Sequence, residues 1–271
     1  MIKYVSKLTE KSVALRLPKR AKDANKGTFG KVLVIAGSEN YPGAAYLSCA
    51  GAYRVGAGLV TLLTSKEVKV IVSRKLPEAT FISRLSEISD YDVLLFGPGL
   101  GKQVTKFKFA GKYAGVVVDG DGLKIFRKFK QAVLTPHPGE MSRMTGLTIK
   151  EVQENREKIA QEFAVKWKQV VVLKGAKTII ASPSGEVKVS TFANPLLATA
   201  GTGDILSGII AGLIAQGLDT NYLFDAACCG VYLHGLAGEM LAENLGDAGM
   251  LASDLLPVLP LATAHIQTLN Q

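Results

Sequence analysis

The sequence predicts an α/β fold, a three-layer α/β/α sandwich around a mostly parallel central sheet. Three observations predict it. Short apolar runs recur along the chain and end in glycine or a polar residue. Stretches with helical patterns lie between several of these runs. Two later runs flank Pro183-Ser184-Gly185, a turn signal that is typical of an antiparallel hairpin.

Six apolar runs are the candidate parallel strands. Continuous β-branched runs are typical of strands that are covered on both faces. In chain order they are "KVLVIAG" (31–37), "LVTLLT" (59–64), "VLLFG" (93–97), "GVVVDG" (115–120), "AVLTP" (132–136) and "VVVLKG" (170–175). The hairpin runs are "TIIAS" (178–182) and "VKVSTF" (187–192), and we expect them to add antiparallel strands at one edge.

Four stretches are candidate helices. The first covers residues 42–58, and the second runs from Thr148 to Trp167 and opens with the capping box Thr148-x-x-Glu151. Two later stretches, Ile205–Gln216 and Phe224–Asn244, are rich in alanine and glycine, which favours close packing.

Length and composition favour one globular unit. The 271 residues are 48% hydrophobic and 20% charged, and no linker or internal repeat divides them. We therefore expect a single domain over residues 1–271. The cysteines Cys49, Cys228 and Cys229 lack a pairing or metal-binding spacing, which indicates reduced, buried thiols and a cytoplasmic protein. No apolar leader or membrane-spanning run is evident, so we expect no membrane association.

The net charge of +9 is concentrated at the start of the chain. Residues 1–26 contain eight lysines or arginines and two acidic residues. Such a segment could meet nucleic acid or a membrane surface. Because no aromatic ladder or nucleic-acid module accompanies it, we expect a solvated first segment and no nucleic-acid partner.

Several common functional motifs are absent from the sequence. There is neither a P-loop nor a Gly-x-Gly-x-x-Gly after a strand, and "GPGLG" (97–101) has the wrong spacing. The three histidines, His137, His234 and His265, are scattered. Phosphate or metal would have to be held in another way.

Glycine-rich or polar turns follow five of the apolar runs. In an open parallel sheet, ligands bind outside the carboxyl ends of the strands, so several such turns at one rim predict a cleft. The turns are residues 37–38, 97–101, 119–122, 135–140 and 174–178.

The stretch "NPLLATAGTGDILSG" (194–208) places one acid, Asp204, among glycines where a helix begins. Gly201-Thr202-Gly203 could turn backbone N–H groups toward an anion at the helix N-terminus. Asp204 could be a general base for a hydroxyl that attacks a phosphoryl group. It could equally be a simple first-turn acid of the helix.

This stretch resembles the signature of the ADP-dependent NAD(P)H-hydrate dehydratases of the ribokinase-like superfamily. Other segments agree with that family in order and spacing, over residues 8–260. They are "KGTFGKVLVIAGSENYPGAAYLS" (26–48), "GAGLVTL" (56–62), "GPGLG" (97–101), "VVVDGDGL" (116–123), "LTPHPGEMSRMTG" (134–146) and "VVLKGAKTII" (171–180).

The resemblance implies a ribokinase-like fold and a repair activity. The family removes water from the S form of NADH hydrate and NADPH hydrate, using ADP, or ATP in some branches, with Mg²⁺. The products are NAD(P)H, AMP and phosphate. Phosphorylation of the ring hydroxyl makes it a leaving group, and elimination restores the double bond.

The resemblance also implies roles for individual residues. Asp204 matches the catalytic base, and the backbone of Gly201, Thr202 and Gly203 the anion hole. The positions that match the hydrate site are Ala44, Gly99, Gly101, His137 and Asp204. The positions that match the ADP site are Lys174, Gly175, Ala176, Lys177, Thr178 and Gly203. Glu140 could act on Mg²⁺ through water.

Plainer interpretations stand beside these roles. His137 could make only a structural hydrogen bond, Glu140 could cap a helix, and Lys177 could be solvated. Asp119 and Asp121 could assist metal binding, but we expect turn formers. We expect His234 to be packed in a helix.

The sequence departs from the family pattern in three respects. Asn25 stands where many relatives carry histidine, Gly120 replaces a common alanine, and no epimerase domain is expected in 271 residues. A separate NAD(P)H-hydrate epimerase would then supply the S form. Family analogy implies a homo-oligomer, a tetramer.

A vitamin-precursor kinase of the same superfamily is the alternative function, although such kinases usually carry asparagine at the position of His137. A nucleotide sensor is disfavoured because it would not need Asp204.

Overall fold

The computed structural model describes residues 4–84, 90–107, 113–217 and 222–269. Within them, ten strands form one sheet in the order β1-β10-β9-β8-β7-β6-β5-β2-β3-β4. In chain order the strands are Tyr4–Lys7 (β1), Lys31–Ile35 (β2), Leu59–Leu63 (β3), Thr80–Ile82 (β4), Val93–Phe96 (β5), Gly115–Val118 (β6), Val133–Leu134 (β7), Val170–Leu173 (β8), Ile179–Ala181 (β9) and Glu186–Val189 (β10). Only β9 runs antiparallel to its neighbours in these ranges.

Helices cover both faces of the sheet. They are Glu10–Ala14 (α1), Pro42–Arg54 (α2), Lys66–Lys75 (α3), Pro138–Thr145 (α4), Ile149–Glu154 (α5), Arg156–Trp167 (α6), Thr202–Ala215 (α7), Tyr222–Leu245 (α8) and Leu255–Thr268 (α9). Alternate residues of β2 pack into two different apolar clusters, Val32 with α2 and α7, and Leu33 with the opposite layer. The strands are apolar on both faces because both faces are covered. The predicted three-layer fold is confirmed.

The predicted hairpin lies one strand inside the sheet edge. β1 pairs in parallel with β10, so it covers the strand that was expected to lie at the edge. The expectation of a solvated first segment is correct for most of its charged side chains and wrong for its apolar ones. Leu8 and Val13 are buried in the main core, and the guanidinium of Arg16 contacts the carboxylate of Asp225 at 2.7 Å. Lys3 lies outside the described residues.

Helix boundaries also differ from the predicted ones. The helix expected over 148–167 is two helices, because the backbone of Asn155 leaves the helical region at φ −129°. The helix expected from Ile205 begins at Thr202, so Asp204 is its third residue.

The three cysteines are buried free thiols, as predicted.

Helices α2 and α7 pack at backbone distance. A β-carbon at Gly208 would lie 2.1 Å from the carbonyl oxygen of Ser48, and one at Gly51 would lie 2.7 Å from that of Ile205. Only glycine allows this approach. The contact fixes the start of α7 beside the carboxyl ends of the strands.

Candidate active site

The N-terminus of α7 is built to leave backbone donors free. Gly201 adopts the left-handed conformation at φ +95° and caps the helix. The Thr202 hydroxyl bonds back to the carbonyl oxygens of Leu197 (2.8 Å) and Thr199 (2.9 Å). Among the described residues, the N–H groups of Gly203 and Asp204 have no backbone acceptor. Free N–H groups at a helix start favour an anion there.

The Asp204 carboxyl is largely buried at this helix start. Burial raises its pKa to about 7, the nearby charge of Asp119 adds to the rise, and Lys174 opposes it. A carboxylate with such a pKa can accept a proton near neutral pH, which a general base requires.

Asp119 and Lys174 form a buried ion pair beside Asp204. The Lys174 ammonium lies 2.8 Å from Asp119 Oδ1, and the Thr135 hydroxyl donates to the same oxygen at 2.7 Å. Burial lowers the pKa of Lys174, but the carboxylates of Asp119 and Glu140 outweigh it and leave the pKa above its ordinary value. The backbone of Asp119 begins a turn, as expected, because its carbonyl oxygen accepts from the N–H of Gly122 at 3.0 Å. Its carboxylate is in addition a paired, buried acid, which the expectation did not include.

His137 and Glu140 form the capping box of α4. His137 Nδ1 accepts hydrogen bonds from the N–H groups of Gly139 (3.0 Å) and Glu140 (3.3 Å). The Glu140 carboxylate accepts from the N–H of His137 at 2.8 Å. Both side chains thus have the structural partners of a capping box, and Glu140 also extends into a cavity.

Two cavities meet near the start of α7. The first has a volume of about 710 Å³ and is lined by Ala44, Gly99, Gly101, Glu140 and Asp204, together with Tyr41. The second has a volume of about 700 Å³ and is lined by Lys174, Gly175, Ala176, Thr178, Thr202 and Gly203. Asp204 lines the first cavity and the preceding residue Gly203 lines the second, so the two cavities are neighbours at the start of α7.

The structure brings together most of the residues that the sequence singled out. His137 lines the second cavity, with the residues expected to bind ADP, rather than the first. Lys177 is exposed and lines neither cavity, and Gly201 is not among the lining residues of either. His234, at the second cavity, is buried with Nε2 3.0 Å from the Thr202 carbonyl oxygen. Burial lowers its pKa to about 4, so it is neutral and donates this bond.

Sequence reasoning missed several lining residues. Tyr41 and Arg143 line the first cavity, while Phe192 and Asn194 line the second. Tyr41 and Asn194 lie inside or next to the quoted motifs, so their position was a usable signal. Arg143 also lies inside a quoted motif, residues 134–146, but its residue type and its place in α4 are equally typical of a solvated side chain.

Among the described residues, no three His, Cys, Asp or Glu side chains are grouped as a metal site. None of the helices in these ranges has the length and apolar character needed to cross a bilayer.

Comparison with known proteins gives consistent matches over most of the chain. The family model for NAD(P)H-hydrate dehydratase matches residues 32–261. A protein of Bacillus subtilis, named ADP-dependent (S)-NAD(P)H-hydrate dehydratase, is 36% identical and covers 93% of this chain and 95% of its own length. A crystal structure of ADP/ATP-dependent NAD(P)H-hydrate dehydratase from the same organism, co-crystallised with ATP/Mg²⁺, is 34% identical with a TM-score of 0.87, covering 97% of this chain and 99% of that one.

Longer proteins also match. The bifunctional NAD(P)H-hydrate repair enzyme of Moorella thermoacetica is 39% identical over 93% of this chain. The match covers 52% of that protein, so this chain spans about half the length of the bifunctional relatives.

Proposed function

The chain belongs to the NAD(P)H-hydrate dehydratase family, and from this premise we propose that it is a nicotinamide nucleotide repair enzyme. Its proposed reaction is the ADP-dependent dehydration of the S form of NADH hydrate and NADPH hydrate to NAD(P)H, with release of AMP and phosphate. The observation that carries the proposal is the position of Asp204. A buried carboxyl with a pKa of about 7 lines one cavity, while the adjacent Gly203 lines the other.

In the proposed first step, Asp204 takes the proton of the ring hydroxyl of the hydrate. The hydroxyl oxygen forms a bond to the β-phosphorus of ADP, and the bond from that phosphorus to the bridging oxygen breaks and releases AMP. In the second step the ring carbon–oxygen bond breaks, and phosphate leaves with the electron pair. The ring nitrogen supplies electrons, and loss of a proton from the neighbouring carbon restores the double bond.

The start of α7 would stabilise the transferring phosphoryl group. The N–H groups of Gly203 and Asp204 have no backbone acceptor among the described residues and can donate to its oxygens. Lys174 lies next to this point, because its Nζ is 3.3 Å from where a β-carbon of Gly203 would stand. Its positive charge would attract the phosphates and so offset their repulsion by the Asp204 carboxylate.

The donor set of the site fits Mg²⁺ as the resemblance implies. Magnesium prefers oxygen ligands, keeps several waters, and is usually bound by one or two carboxylates plus substrate phosphates. Glu140 lines the first cavity with a mostly buried carboxylate and would hold the ion through water. A bound ion would neutralise charge on the phosphates. The absence of a three-residue cluster in the described ranges is compatible with such a site.

Partners and assembly follow from the same premise. We propose a cytoplasmic homo-oligomer, a tetramer by family analogy, that works with a separate NAD(P)H-hydrate epimerase. Light scattering on the purified protein measures the assembly, and a monomeric mass would contradict the oligomer. Conversion of an R,S mixture beyond the S fraction only when an epimerase is added would support the link.

The function is tested with purified S-NADH hydrate, Mg²⁺, and either ADP or ATP. Return of dihydronicotinamide absorbance only with a nucleotide supports the proposal and identifies the phosphoryl donor. Asp204→Asn should bind the nucleotide but lose turnover by at least 100-fold, since general-base catalysis contributes about 10²–10⁴-fold. Absence of turnover, together with phosphorylation of a vitamin alcohol, would support the kinase alternative instead.

A further inference from the structure

Two arginines line the same cavity as Asp204. Arg127 lies in the 3₁₀ stretch Gly120–Lys128 and Arg143 lies in α4, and both are exposed. In the ranges that the structure describes, neither guanidinium has a carboxylate within 4 Å or a hydrogen-bond partner. The third basic lining residue, Lys124, is neutralised by Asp121 at 2.6 Å. Among the described residues that line this cavity, Arg127 and Arg143 are therefore the cations without a carboxylate partner.

Arg127 is supported by an aromatic platform. Its guanidinium carbon lies 4.8 Å from the ring centroid of Phe126, which is buried and packs against Trp167 at 4.7 Å. Stacking over a ring restrains the guanidinium and leaves its in-plane N–H groups available. An arginine in this state can bind the oxygens of a phosphate with two parallel hydrogen bonds.

The acidic and the basic side chains of the cavity differ in their exposure to solvent. The carboxylates of Glu140 and Asp204 are mostly buried, whereas the two guanidinium groups are exposed. A ligand with an uncharged hydroxyl at one end and phosphates at the other would be oriented by this arrangement. The reverse orientation would place phosphates against two carboxylates, which like-charge repulsion disfavours.

We propose that Arg127 and Arg143 form a phosphate-binding rim that holds the phosphate groups of the nucleotide hydrate. This inference rests on the proposed function, which supplies a phosphate-bearing substrate whose hydroxyl faces Asp204. Both nucleotide hydrates carry a diphosphate, and NADPH hydrate also carries a 2′-phosphate. The rim acts in binding and orientation, so it contributes to KM rather than to the chemical step.

The test measures binding of NADH, NADPH and ADP to the wild type and to the double variant Arg127→Gln/Arg143→Gln by calorimetry. NADH and NADPH carry the same phosphates as their hydrates, so the readout does not depend on turnover. Lys128→Gln is the matched control, because Lys128 is exposed in the same 3₁₀ stretch but does not line the cavity. Thermal unfolding of each variant verifies that the fold is retained.

We expect the double variant to weaken NADPH binding about tenfold, as hydrogen bonds to charged groups in a solvent-exposed setting allow. ADP binding should be unchanged, because ADP is assigned to the second cavity. Equal weakening for NADH and NADPH identifies the diphosphate as the bound group, and weakening for NADPH alone identifies the 2′-phosphate. The inference is overturned if neither nucleotide is weakened beyond the Lys128→Gln control, or if the wild type binds neither. The hydrate turnover assay decides the proposed function separately.

Discussion

At the scale of single residues, the site depends on one carboxyl whose ionisation lowers the stability of the fold. Asp204 titrates with a pKa of about 7 because it is buried and faces Asp119. An unfolded aspartate loses its proton near pH 4. Between about pH 4 and pH 7 the folded state therefore binds more protons than the unfolded state, so stability falls as pH rises through this window.

Removal of this charge should consequently stabilise the protein at alkaline pH. We expect Asp204→Asn to unfold at higher urea concentration than the wild type at pH 8. Each pKa unit corresponds to about 1.4 kcal/mol, so the difference should amount to a few kcal/mol and vanish toward pH 4. Glu154→Gln, an exposed substitution, is the control. A variant that is no more stable than the wild type at pH 8 would contradict the buried-charge account.

The sequence could predict the residues of this site that are contiguous. Gly201 to Asp204 stand together in one motif, so the sequence itself indicates their association with a helix start. The network of Asp119, Thr135 and Lys174 was not visible, because it joins the ends of three different strands. An acid after a strand has the same local pattern whether it turns into solvent or pairs with a distant lysine.

The Asp119–Lys174 pair should be tested as a unit. Lys174→Met leaves the Asp119 carboxylate buried with Thr135 as a donor, and we expect a loss of about 3 kcal/mol of unfolding free energy. The double variant Asp119→Asn/Lys174→Met should recover part of that loss, since the uncompensated charge is gone. Lys177→Met, in the same segment but exposed, should change stability by less than about 0.5 kcal/mol. The single variant Asp119→Asn completes the double-mutant cycle. If the stability changes of Asp119→Asn and Lys174→Met add up to that of the double variant, the two side chains do not interact.

At the scale of elements, the contact between α2 and α7 positions the turn Gly201–Asp204 at the start of α7. The sequence indicated close packing through its alanines and glycines, but not which helices meet. That choice depends on the order of strands in the sheet, which local patterns do not encode. The break at Asn155 was likewise hidden, because the capping box at Thr148 and the apolar positions beyond it fit one continuous helix.

Glycine substitutions separate packing from helix propensity. A β-carbon at Gly208 would lie 2.1 Å from the Ser48 carbonyl oxygen, whereas one at Gly43, in α2, would meet nothing within 4 Å. We expect Gly208→Ala to cost about 1–3 kcal/mol of stability by overpacking and to reduce turnover, because the start of α7 is displaced. Gly43→Ala should be neutral or slightly stabilising, as alanine favours a helix. Equal unfolding midpoints for the two variants would argue against the close approach.

At the scale of the whole molecule, the sequence predicted the six parallel strands and the layered architecture because both depend on apolar runs. The sequence did not predict the role of the first segment, because its many lysines and arginines obscure the pattern of a short strand. β1 covers β10, and the segment after it packs against the helices of one face. β1 supplies hydrogen-bond partners for the outer edge of β10 and becomes the terminal strand of the sheet itself. The segment thus joins the sheet to the helical layer.

Two leucines of this segment test its contribution to the fold. Leu8 is 2% exposed and its N–H donates to the Val189 carbonyl oxygen at 2.8 Å, whereas Leu15 is 72% exposed. We expect Leu8→Ala to lose about 2–4 kcal/mol, since it leaves a cavity between sheet and helices. Leu15→Ala should stay within about 0.5 kcal/mol of the wild type. Urea unfolding followed by circular dichroism measures both. If Leu8→Ala behaved like Leu15→Ala, the segment would be the solvated extension that its charge suggests, and the sheet would be stable without it.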